Sequence, residues 1–139
     1  MTFEEKGKWV YLITSIVGFV TYVSIVLSRA QDTIITEVPY VSTLLWVIGI
    51  GLVVTIIGQI VIAIAKPNEA DKKDERDKDI NRYGDFIGGI VLGIAMIAPL
   101  GLTLAEVDHF WIANAMYAAF VLSAIISTTV KIVAYRRGL

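Results

Sequence analysis

Apolar residues fall into four long runs, at 9–28, 41–65, 86–104 and 110–134, divided by short polar connections and one densely charged segment. Each run holds 19 to 25 residues. A helix rising 1.5 Å per residue needs about 20 to cross a hydrocarbon layer of ~30 Å. The only acidic or basic residue inside the runs is Lys131, close to the end of the last one. The pattern predicts an all-α polytopic membrane protein: one transmembrane domain over 1–139, its four helices in an antiparallel bundle. The expected helices are 9–28, 41–65, 69–104 and 110–134, the third including a charged cytoplasmic extension.

That extension is the segment 68–83, which carries acids and bases at helical spacing. Asn68 suits an N-cap, and Glu69 and Asp71 fall in the first turn, where the helix dipole favours acids. Glu69/Lys73 and Asp74/Lys78 are acid-first i,i+4 pairs, each contributing about 0.2–0.5 kcal/mol. Ile80, Tyr83 and Ile87 are expected on one face. Further along the third run, Pro99 removes a backbone donor and predicts a kink.

Charge orients the bundle. The net charge is −1, but eleven of the twelve Lys and Arg residues lie in the N-terminal leader, the middle connection or the C-terminal end; only Arg29 lies in the first connection. Topology follows basic residues, so both termini and the middle connection are expected in the cytoplasm. The composition, 56% hydrophobic with mean hydropathy +0.71, leaves no room in these residues for a separate soluble domain. The first run is too long for a signal-peptide core and reads as a retained helix. The localisation expected is a bacterial plasma membrane.

Helix packing in lipid is driven by close approach of small residues rather than by hydrophobicity. Gly84/Gly88 and Gly89/Gly93 form two small-xxx-small pairs in the third helix, and Ala115, Ala119, Ser123 and Ser127 form a row in the fourth that ends at Lys131. The third and fourth helices are therefore expected to pack tightly. Gln59, Asn114 and Tyr117 are the candidate intramembrane polar site. They read either as a ligand pocket or as interhelical hydrogen bonds.

Candidate chemistry is sparse. Asp74, Glu75, Arg76, Asp77, Lys78 and Arg82 read either as a docking surface for a cytoplasmic protein or as a solvated, orienting loop. Interleaved acids argue against an anionic-lipid patch and against direct nucleic-acid binding. Asp85, at the membrane edge, has Arg82, Lys131 and Arg136 as candidate ion-pair partners. Glu106, Asp108 and His109 lie in the turn between the last two helices, but their loose spacing and the single His favour a polar turn over a metal site. With no cysteine there is no thiol chemistry, and one His outside the spans cannot supply bis-His haem ligation. No catalytic residue, metal or cofactor is expected.

Several motifs read together: Glu4-Glu5-Lys6…Trp9; Asp74-Glu75-Arg76-Asp77…Ile80-Asn81-Arg82-Tyr83-Gly84; and His109-Phe110-Trp111-Ile112-Ala113-Asn114 with Lys131-Ile132-Val133-Ala134-Tyr135-Arg136-Arg137-Gly138. In these the chain resembles an uncharacterised family of small four-helix integral membrane proteins of actinobacteria and other Gram-positive bacteria. Such families are often encoded beside a small helix-turn-helix regulator. The resemblance implies a membrane partner that restrains a transcription factor or senses for it, and it supplies no catalytic residues. The function expected is a non-enzymatic regulator or sensor in the lipid bilayer that docks a cytoplasmic partner on the charged segment. The alternatives are a small solute or ion transporter or channel acting as a homodimer, and a structural subunit of a membrane complex.

Overall fold

The computed structural model describes residues 3–65 and 75–138. Its helices are α1 (Phe3–Arg29), α2 (Val41–Ala65), α3 (Glu75–Ala95), α4 (Ile97–Leu104) and α5 (His109–Arg137), with a single 3₁₀ turn at Ile35–Glu37. The chain is a multi-pass membrane protein. Four helical stretches are long and apolar enough to span a bilayer, α3 and α4 together making one of 30 residues.

The helix ends reach beyond the apolar runs. The leader Glu4-Glu5-Lys6-Gly7-Lys8 is already helical, with Glu4 and Glu5 in the first turn, where the dipole favours acids. At the other end of the chain, Arg136 and Arg137 lie in the last turn of α5, and Gly138 closes it with φ 73°, its amide donating to the Ala134 carbonyl. The charged lead-in is helical from Glu75. The part expected to be helical from 69 to 74 lies outside the described residues.

The third span is interrupted at Met96, three residues before Pro99. Proline lacks the amide that would bond the Ala95 carbonyl, and its ring crowds that carbonyl. The short helix after the break ends in a Schellman arrangement. Val107 N–H donates to the Leu102 carbonyl at 3.1 Å and Glu106 N–H to the Thr103 carbonyl at 3.0 Å. Glu106 takes the left-handed position, φ 56°, that glycine usually fills.

Contacts define an open bundle. α1 and α5 run antiparallel against each other; α2 packs along α1, and α3 and α4 pack along α5. α2 is the least covered helix: none of its most apolar 18-residue window is buried. Leu52, Ile56, Ile60 and Ile64 each stand about half or more exposed. In water such a surface would cost about 25 cal/mol per Å²; hydrocarbon covers it at no such penalty.

Each end has its own core. At the end bearing the two connections, Tyr22, Val26, Val38 and Phe110 are buried together, flanked by Tyr40 and Tyr117. The Tyr40–Phe110 and Tyr22–Tyr117 rings meet edge to face at 5.3 and 5.1 Å. Arg29 ties the first connection down by donating to the Pro39 carbonyl at 2.8 Å and to Thr43 Oγ1 at 2.7 Å. At the charged end, Ile80, Ala134 and Tyr135 form the second cluster.

Candidate functional site

The charged end is joined by contacts between segments far apart in sequence. Tyr135 Oη donates to Asp77 Oδ1 at 2.6 Å, both residues being buried. Arg76 Nη2 donates to the Tyr135 carbonyl at 3.0 Å, with its guanidinium 5.5 Å from the Tyr135 ring centre. Glu5, only 5% exposed, pairs with Arg136 Nε at 2.6 Å. These contacts place the beginning of α1, the beginning of α3 and the end of α5 at one end of the bundle.

The residues read as a docking surface thus divide. Arg76 and Asp77 are engaged by α5. Glu75 and Lys78 form an exposed pair at 3.3 Å, and Arg82 is exposed. Asp74 lies outside the described residues. Asp85 pairs with Lys131 rather than with Arg82 or Arg136: Lys131 Nζ lies 2.6 Å from Asp85 Oδ1, the lysine side chain 12% exposed and the carboxylate 70%. The α5-facing stripe of α3 runs Asp77, Ile80, Gly84, Gly88. Tyr83, expected beside Ile80, is 55% exposed. The stripe follows the glycine side because only there can the helices approach closely.

The two glycine rows have different roles. A Cβ added at Gly84 would strike the Lys131 stem, and one at Gly88 would lie 2.8 Å from Ser127 Cβ. Ser123 Oγ donates to the Gly88 carbonyl at 2.8 Å. On α5, Ala119 and Ser127 are buried, while Ala115 and Ser123 are half-buried. The α3–α5 contact thus has small residues on both sides. At Gly89 and Gly93 an added Cβ would meet nothing within 4 Å, so this second row takes no part in the contact.

Gln59 is not brought to Asn114 and Tyr117. Its Nε2 donates to the Gly7 carbonyl at 3.1 Å, near the charged end. The Asn114 side-chain carbonyl accepts from Tyr22 Oη, and its Nδ2 donates to the Phe110 carbonyl at 2.7 Å. Gly7 and Tyr22 are 15 residues apart on α1, about 22 Å along a helix. Tyr117 stacks beside Tyr22 and Phe19. The three residues form two separate interhelical hydrogen-bonding or packing points. Among the described residues, no three His, Cys, Asp or Glu side chains gather as a metal ion would require.

Gln59 also lines an open space. A cleft of about 550 Å³ sits between α1, α2, α3 and α5 toward the charged end. Glu4, Lys8, Asp85 and Lys131 bring charge to it, and Gly89, with nothing within 4 Å of its Cβ position, leaves it room. It forms because α2 packs on α1 and α3 on α5, leaving those two outer helices apart. The positions on each helix recur at three- and four-residue spacing, a regularity visible in the sequence, but nothing in one chain's spacing says which helix faces lie opposite. Glu5, Tyr22 and Tyr135, which join helices, are not recognisable as contacts in the sequence for the same reason. No family model, curated protein or solved structure matches this chain.

Proposed function

We propose that this chain is a non-enzymatic regulatory membrane protein of a bacterial plasma membrane. Both termini and the charged middle connection face the cytoplasm, and Glu75, Lys78 and Arg82 dock a cytoplasmic protein. One observation carries the reading: Arg76 and Asp77 are held by Tyr135 while their neighbours stay exposed. The start of α3 is therefore a charged face attached to the end of α5. A shift between α3 and α5, which meet through Gly84, Gly88 and Ser127, would move that face. A small helix-turn-helix regulator is the partner class that the motif resemblance favours.

The test is site-specific photo-crosslinking from Lys78 in cells, with wild type compared against a Glu75→Ala/Arg82→Ala variant. The expected result is a defined crosslinked protein whose yield falls at least about tenfold in the variant, as the loss of paired interface charges requires. Absence of any crosslinked protein, or equal yield from both chains, sinks the reading. A second reading, a homodimeric transporter, is favoured by the unpacked Gly89/Gly93 row, which would let a second copy approach closely. Solute flux in proteoliposomes distinguishes it.

A further inference from the structure

The polar cleft does not end where its charges end. Tyr11, Phe120 and Ala124 line both the cleft and a second, apolar groove of about 280 Å³ that continues between α1, α2 and α5. Val47, Gly51 and Leu52 of α2 form its far wall. One continuous depression thus runs from a charged mouth at the membrane edge to an apolar channel deeper in the span. A polar mouth that opens into an apolar groove offers each half of an amphiphile a surface of its own kind. From this we infer that the depression is a binding site for one phospholipid, its headgroup in the cleft and an acyl chain along the groove.

The charges select the headgroup. Glu4 and Asp85 bring two carboxylates to the mouth and Lys8 and Lys131 two ammonium groups, Asp85 and Lys131 already pairing with each other at 2.6 Å. These four charges balance, so a headgroup of net negative charge would add an uncompensated charge to the mouth. A headgroup with a phosphate and a primary ammonium adds no net charge and joins the Asp85–Lys131 pair, its phosphate toward Lys131 and its ammonium donating to the exposed Asp85 carboxylate. A quaternary ammonium has no N–H to donate. The ligand is therefore a zwitterionic lipid of the phosphatidylethanolamine type. At about 550 Å³ the cleft falls in the ordinary range for small-molecule sites, about 300–1,000 Å³. This site does not depend on any protein docked at Glu75, Lys78 and Arg82, and its failure would leave that docking untouched.

Two glycines allow the site to be filled without disturbing the packing. Gly89 lines the cleft and has open space at its Cβ position. Gly51 lines the apolar groove, with Thr14 Cγ2 at an ordinary 3.9 Å. The experiment is lipid titration of the purified, delipidated full-length protein, read by native mass spectrometry. The probes are phosphatidylethanolamine, phosphatidylcholine, phosphatidylglycerol and chain-free glycerophosphoethanolamine. Phosphatidylethanolamine should be retained at least about tenfold better than each of the others, the scale of one lost charge pairing. Gly89→Leu and Gly51→Leu should each lower that retention by a similar factor at an unchanged thermal midpoint. Equal retention of the three lipids, a preference for phosphatidylglycerol, or equal binding of the chain-free headgroup would overturn the assignment. So would wild-type retention by both variants. If either variant fails to fold, the other carries the mutational arm and the lipid preference of the wild type carries the rest.

Discussion

Tyr135, at the end of α5, donates its hydroxyl to the buried carboxylate of Asp77, at the start of α3, across 2.6 Å. The two residues are 58 apart in sequence. Their bond, with Arg76 on the Tyr135 carbonyl, fixes where the charged lead-in sits. Hydrogen bonds to charged groups contribute about 1.5–3 kcal/mol. Tyr135→Phe should therefore destabilise the protein by about that much in detergent unfolding. It should also speed tryptic cleavage after Arg76 and Lys78. Unchanged cleavage would mean that the bond does not hold the lead-in.

The charged end also contrasts two ion pairs. Glu5 is buried beneath Arg136, whereas Glu75 and Lys78 are both exposed. Removing a partner from a buried carboxylate is costly, and surface pairs contribute little. Because Arg136 is itself more than half exposed, Arg136→Gln is expected to cost about 1–2 kcal/mol, and Lys78→Ala no more than about 0.5. Chemical denaturation in micelles measures both, and equal effects would refute the ranking.

Two glycines, adjacent in sequence, should respond in opposite directions. Gly88→Ala places a methyl group 2.8 Å from Ser127 Cβ and should destabilise by about 1–3 kcal/mol through overpacking. Gly89→Ala meets open space and should be neutral or stabilising by about 0.5–1 kcal/mol through helix propensity. Paired unfolding curves decide; destabilisation by both would mean that the second row is packed after all.

Glu106 stands at a left-handed position without being glycine. An L-residue pays about 1–2 kcal/mol there. Glu106→Gly relieves that strain but frees the unfolded chain, so a net gain of about 0.5–1 kcal/mol is expected. A lower unfolding midpoint would show that the carboxylate has a stabilising contact of its own.

The chain has no cysteine, so orientation can be read by labelling single introduced thiols. Under the proposed orientation, Glu75→Cys should react with an impermeant reagent only after cell lysis, and Glu106→Cys in intact cells. The reverse pattern would invert the bundle.

The four-helix membrane architecture was legible because its signal is local and additive. Apolar runs of spanning length admit few structures in lipid, and α2 covers the residues of its run, 41–65. The interruption ahead of Pro99 was legible for a similar reason: a missing amide acts within one turn. The start of α1 at Phe3 was not, because hydropathy marks where a helix enters hydrocarbon and says nothing about turns in water.

The choice of partner across helices was decided in three dimensions. Asp85 had three basic candidates within reach by sequence, and the rotation of α3 about its axis selected Lys131. Gln59 and Asn114 looked alike as polar residues in apolar runs, but the antiparallel stacking of α1 against α2 and α5 sends them to opposite ends. Spacing along one helix defines its faces. Which face meets which neighbour is settled by packing among all the helices together, and there the cleft and its apolar continuation arise.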